Sequence, residues 1–134
     1  MSDREAIEQR RQVWVDLTSA GDADGCVELL TDDAVWFPPG MAALCGRDQI
    51  RDWMASFFDI YEYQFSVPNP SLRLAGDWAL DRATFISTLT SRFDGRQTDA
   101  KGEYLICWRR ESNGDWYIER YIYLADPLEG VATL

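Results

Sequence analysis

Histidine is absent from the 134 residues of this chain. Its absence removes Ser-His-Asp and Cys-His catalysis, the HExxH zinc site and the His-carboxylate iron site. Any acid–base chemistry must use carboxylates, tyrosines, lysines or ordered water. Cysteine is scarce as well. Cys26, Cys45 and Cys107 are odd in number, widely spaced and lack a CxxC pair. They read as buried thiols in a reducing cytoplasm rather than as a disulfide framework or a zinc site. Positive charge is in short supply, with 13 Lys and Arg against 23 Asp and Glu, a net charge of −10. The only basic pairs are Arg10-Arg11 and Arg109-Arg110, so nucleic acid and anionic membranes are not expected partners. No apolar run approaches a transmembrane span, and the chain is charged from Asp3 onward, which does not suit a signal peptide. A cytoplasmic location is the expectation.

Aromatic residues, by contrast, are plentiful: 6 Trp, 6 Tyr and 6 Phe. Most should be core, but Tyr and Trp in excess also suit a small-molecule cavity or an interface. The length fits one domain with a single sizeable core.

Helical signals fill the first half. Ser2 and Glu5 have capping-box spacing, Ile7, Arg11, Trp14 and Leu17/Thr18 recur at helical intervals, and Gly21 supplies a stop. Asp22 or Asp24 caps a short second helix reaching through Cys26, Leu29 and Leu30. A brief strand, Val35–Phe37, is halted by Pro38, Pro39 and Gly40. A third helix runs from about Asp48, its expected cap, to Ile60, burying Ile50, Trp53, Met54, Phe57 and Phe58.

Strand signals fill the second half. Tyr61–Val67 is extended and ends at Pro68-Asn69-Pro70. Leu72–Ala75 turns through Gly76-Asp77 into a long strand, Trp78–Ser91. Asp94-Gly95 leads to Lys101–Glu111, and Asn113-Gly114 turns that strand into Trp116–Leu124. Asp126-Pro127 closes the sheet, leaving 128–134 as a tail after a single domain over 1–127. The predicted class is α+β: three N-terminal helices packed in a curved, mostly antiparallel sheet, a cone-shaped α+β barrel with a cavity at its mouth.

These residues also carry a likeness. Trp14 with Ala20–Gly25, Leu30–Val35, Pro38-Pro39-Gly40, Gly46-Arg47, Gly76–Ala79, Lys101-Gly102, Trp108–Arg110 and Asn113–Trp116 together resemble the SnoaL-like and ketosteroid-isomerase-like branch of the nuclear transport factor 2-like superfamily. The resemblance covers roughly residues 5 to 127. It implies the cone fold and a homodimer through the outer face of the sheet, and it says little about activity, because many functions share this fold.

Carried over residue by residue, the resemblance weakens the best-known chemistries of the superfamily. The tyrosine acid of ketosteroid isomerases falls at Trp14, the base at Phe37 or Pro38, and the protonated aspartate at Ile106. The Asp-Arg-Asp arrangement of limonene-epoxide hydrolases keeps only its arginine, at Arg82, with Thr84 and Tyr121 near the aspartate positions. The aspartate of SnoaL-like cyclases also falls at Tyr121.

Strand alternation groups Glu119, Tyr121 and Tyr123 on one side and Arg82 with Thr84. Glu119 facing Arg82 across the cone would form a charge pair, either orienting a carbonyl or a water, or simply filling the cone. A single bulge in Trp78–Ser91 would instead turn Arg82 outward and bring Asp81 in. The catalytic candidates are therefore Glu119, Arg82 and Tyr121. The candidate lining is Trp14, Trp36, Phe37, Trp53, Phe57, Thr84, Tyr104, Ile106 and Tyr123. No cofactor is expected. Asp32-Asp33 suits capping or solvation better than metal binding, so no metal is expected.

Two readings stay open. One is a cofactor-independent isomerase, cyclase or hydratase acting on an apolar oxygenated molecule, polyketide-, terpenoid- or steroid-like. The other is a non-catalytic ligand-binding or dimerisation module, or a small subunit of a larger complex.

Overall fold

The computed structural model describes residues 1–127; the expected tail, 128–134, lies outside them. Helix α1 spans Asp3–Ser19 and opens with the predicted capping box, in which the Glu5 amide donates to Ser2 Oγ at 3.1 Å. Its buried stripe is Ile7, Arg11, Trp14 and Thr18, spaced as one face of a 3.6-residue helix. Helix α2, Ala23–Val27, begins where Asp22 Oδ1 accepts the Gly25 amide at 2.8 Å. It is shorter than its apolar run suggests. The Ile118 amide donates to the Leu29 carbonyl at 2.8 Å, and Leu30 pairs with Ile118. Sheet pairing thus takes the two leucines from the helix, and strand β1 runs Leu30–Phe37.

Helix α3, Gly46–Ile60, follows the two-residue strand β2, Leu44–Cys45. Asp48 is not its cap. Cys45 holds that position without a side-chain cap bond, and Gln49 Oε1 accepts the Cys45 amide at 2.9 Å. Asp48 lies in the first turn, where its charge still suits the helix dipole.

The remaining strands are β3 (Tyr61–Ser66), β4 (Ser71–Ala75), β5 (Trp78–Ser91), β6 (Gln97–Arg110) and β7 (Trp116–Pro127). They form a seven-stranded sheet in the order β2-β1-β7-β6-β5-β3, with β4 also paired to β5. Every neighbour pair is antiparallel except β1 with β7. The curved, unclosed sheet packs around the helices as the cone fold that three helices followed by a run of antiparallel strands predicts. Strand β6 starts at Gln97 because the β5–β6 ladder runs without interruption to the Thr90–Gln97 pair, recruiting polar residues the sequence marks as loop.

Two local features set what faces the cone interior. The first is a register shift between β6 and β7. Cys107 pairs with Arg120 and Trp108 with Ile118, so Glu119 is an extra residue, a β-bulge. The second is Gly102. A Cβ there would fall inside the Leu124 carbonyl and the Phe85 ring, so only glycine lets the Phe85 ring lie against β6.

Candidate aromatic cavity

Along β5 the inward side chains are Ala79, Asp81, Ala83, Phe85 and Ser87, all buried. Arg82 faces outward and pairs at 3.0 Å with Glu103, both largely exposed; Thr84 shares that outer face. The expected placement of Arg82 and Thr84 inside the cone is therefore corrected, and no bulge in β5 is needed. The outer face carries Trp78, Leu80 and Ile86, so β5 is as apolar outside as inside, and alternation alone cannot tell the faces apart.

Glu119 is corrected as well. Alternation would align it with Tyr121, but the bulge gives the inner positions to Ile118 and Tyr121. Glu119 instead pairs with Arg120 at 2.7 Å. Its charge acts beside Cys107, whose thiol is pushed up first by burial and then by this carboxylate. Arg82 and Glu119 do not meet.

What the sheet does bring inward is Asp81, fully buried. Its carboxylate accepts from Arg11 Nε at 2.8 Å, Trp108 Nε1 at 3.1 Å and the Tyr104 hydroxyl at 3.3 Å. Burial alone would lower the Arg11 pKa, but the hydrogen bond and charge of Asp81 raise it above its ordinary value. Tyr104 is raised by burial and by the charge of Asp81. The arrangement is a buried ion pair with its acceptor oxygens occupied, behind the aromatic wall rather than in it. Its partners come from α1, β5 and β6, so no local sequence signal marks it.

The cavity itself measures about 220 Å³. Of the sequence-derived candidates, Trp14, Trp36, Trp53, Phe57, Tyr121 and Tyr123 line it, together with Phe58, Tyr63, Phe65, Phe85 and the small or polar Thr18, Ser87 and Ala100. Four expected lining residues do not. Phe37 and Thr84 lie on outward positions, Tyr104 turns its hydroxyl to Asp81, and Ile106 is sealed in the core.

Tyr121 is the centre of the wall. It stacks on Tyr123 at 4.9 Å and 22°, and meets Trp14 and Trp36 edge-on at 5.0 and 4.9 Å. The indole Nε1 atoms of Trp14 and Trp36 are buried without a hydrogen-bond partner among the described residues. Burial pushes Tyr63 up to about 12, beside the Ser87 hydroxyl, and raises Tyr121 and Tyr123 with a further contribution from their tyrosine neighbours. At neutral pH all three are protonated hydrogen-bond donors, not bases. No charged side chain lines the cavity, and no cluster of three or more metal-ligating side chains occurs among the described residues.

Helices inside a curved, open, mostly antiparallel sheet, with an aromatic cavity at the centre, define the nuclear transport factor 2-like cone class. Residues 12–117 match the SnoaL-like domain, and the chain belongs to that family. Among solved structures it is similar to a conserved protein from Planctomyces limnophilus (22% identity, TM-score 0.87, covering 94% of this chain and 98% of that one). A proposed aromatic ring hydroxylase from Novosphingobium aromaticivorans shares 25% identity, TM-score 0.83, with 93% and 92% covered. A ketosteroid isomerase-like protein from Erwinia carotovora atroseptica shares 23% identity, TM-score 0.79, with 94% and 96% covered. A comparison with curated proteins finds no match.

Proposed function

We propose that this chain binds a small apolar, oxygen-bearing molecule in the aromatic cavity. The observation that carries the reading is a cavity walled by aromatic rings whose polar groups are hydroxyls and indole N–H groups and whose lining has no charged residue. Burying apolar ligand surface there is favourable by roughly 25 cal/mol per Å², and the tyrosine hydroxyls orient an oxygen. Acid–base isomerisation or cyclisation is the weaker reading, since Glu119 and Arg82 lie outside the cavity and the tyrosines are held neutral. Catalysis in this site would rest on hydrogen-bond donation from Tyr121 to a substrate carbonyl.

The reading is tested by thermal shift and calorimetry against a panel of neutral oxygenated apolar compounds, comparing the native chain with Ser87→Phe, which fills the cavity. Binding to the native chain that Ser87→Phe abolishes supports it; a panel that binds neither protein, or both equally, refutes it. Mass analysis of each bound compound separates binding from turnover.

A homodimer through the outer sheet face belongs to the same proposal. Trp78, Leu80, Ile86, Leu105, Ile122 and Leu124 are exposed there, and exposed apolar faces are where protein–protein contacts form.

A further inference from the structure

Resting on the cavity's role as a ligand site, we infer that its ligand is an uncharged compound of one or two rings that presents a hydrogen-bond acceptor to Tyr121 and Tyr123. Three independent observations set the size, the charge and the polarity.

Size comes first. The cavity's 220 Å³ lies below the ~300 Å³ at which drug-sized pockets begin. A two-ring compound fits that space. A four-ring skeleton of the steroid or aromatic-polyketide type does not, and this narrows the range of apolar ligands that composition and fold leave open.

Charge is the second constraint. An ionised ligand group would need a counter-charge or several hydrogen bonds to offset its lost hydration. The buried charges near the wall are already committed: Asp81 is held by Arg11, Trp108 and Tyr104. Glu119 is paired with Arg120 and Arg82 with Glu103, both away from the cavity. The site therefore offers neither ion a counter-charge: a cation also meets no acceptor carboxylate, and an anion has only neutral hydroxyl and indole donors to offset its lost hydration.

Polarity is the third. Tyr121 and Tyr123 stack on each other and otherwise meet aromatic rings, Trp14, Trp36 and Phe85, and the adjoining indoles of Trp14 and Trp36 are donors unpaired among the described residues. Trp and protonated Tyr supply N–H and O–H groups, so the wall has a surplus of donors. A carbonyl, ether or phenol oxygen is the group that complements it.

The test uses four compounds on the native chain and on Tyr121→Phe, with affinities from calorimetry at neutral pH. Naphthol and naphthamide are neutral two-ring probes, naphthoate is the charged counterpart of naphthamide, and estradiol is the neutral four-ring probe. Naphthol and naphthamide should bind, with naphthoate weaker than naphthamide by at least about a hundredfold and estradiol giving no heat. Tyr121→Phe, which keeps the ring, should weaken naphthamide about fivefold to tenfold, the worth of one hydrogen bond. Naphthoate binding within tenfold of naphthamide overturns the charge argument, estradiol binding as tightly as naphthol overturns the size argument, and an unchanged Tyr121→Phe affinity overturns the acceptor argument. In each of these cases the cavity still holds a ligand and its proposed role survives. If none of the four binds, this inference fails; the cavity's role falls only if the wider neutral panel also fails.

Discussion

Arg11 and Asp81, seventy positions apart in sequence, meet inside the cone through an Nε–Oδ2 contact of 2.8 Å, with side chains 8% and 0% exposed. Their pairing ties α1 to β5 from within. Removing one partner leaves the other charge buried, which costs about 3–5 kcal/mol. Asp81→Ala should therefore lower the urea midpoint severely. The double change Arg11→Met with Asp81→Leu should recover part of that loss, because it buries no lone charge. A double variant less stable than Asp81→Ala would contradict this account.

Tyr63, raised by burial to about 12, gives the fold a sensitivity to base. The unfolded tyrosine ionises near 10, so between roughly 10 and 12 the folded state binds more protons than the unfolded state. Stability from this group is complete below pH 10 and is lost as pH climbs through 12, at up to ~1.4 kcal/mol per unit. Tyr104, Tyr121 and Tyr123 shift the same way and steepen the loss. Urea midpoints followed from pH 8 to 11, with tyrosinate absorbance as the second readout, should show stability flat below about 9.5 and falling above it.

At Gly102 the prediction concerns shape. Gly102→Ala drives a methyl into the Leu124 carbonyl and the Phe85 ring, an overpacking worth about 1–3 kcal/mol. Because Phe85 also lines the cavity, naphthol affinity should fall along with stability. A variant with native denaturation and native binding would show that the ring moves aside freely.

On the outer face, Leu105 pairs across the ladder with Ile122, and both side chains are exposed. Ile122→Glu should shift sedimentation from dimer to monomer while leaving naphthol binding within about twofold, since the side chain points away from the cavity. A native chain that sediments as a monomer would remove the dimer from the proposal.

Thiol chemistry offers a check on burial. Cys45 is exposed, whereas Cys26 is buried and raised to about 11, chiefly by burial, with Thr18 pulling the other way. Only the thiolate reacts. Cys45 should be alkylated first in the native protein and Cys26 only on unfolding, as peptide mapping would resolve.

Much of the fold is legible in local pairs of residues. Ser2 with Glu5 announces α1, and Asn113-Gly114 announces a turn that the structure builds with Gly114 at φ 88° and Asn113 Oδ1 accepting the Asp115 amide. Six of the cavity residues are legible too, because Trp14, Trp53 and Phe57 follow helical spacing and Trp36, Tyr121 and Tyr123 follow strand spacing. The charged residues are not. Arg82 is misplaced because Trp78, Leu80 and Ile86 make the outside of β5 look like a core face. Glu119 is misplaced because a bulge is fixed by pairing with β6, not by its own neighbours. Asp81 owes its burial to partners on other elements, which no short stretch of sequence displays.

The extra residue at Glu119 has a consequence for how β7 can vary. Before it the even positions Trp116 and Ile118 turn inward; after it the odd positions Tyr121 and Tyr123 do. Strict alternation from Trp116 would put Arg120 and Ile122 in the cavity and the tyrosines on the outside. One half of the strand anchors the core and the other half furnishes the cavity, and the bulge sets their phase independently. It is also the place where β7 can lose a residue without exchanging its two faces: removing Glu119 restores regular alternation and leaves Ile118 in the core and Tyr121 on the wall.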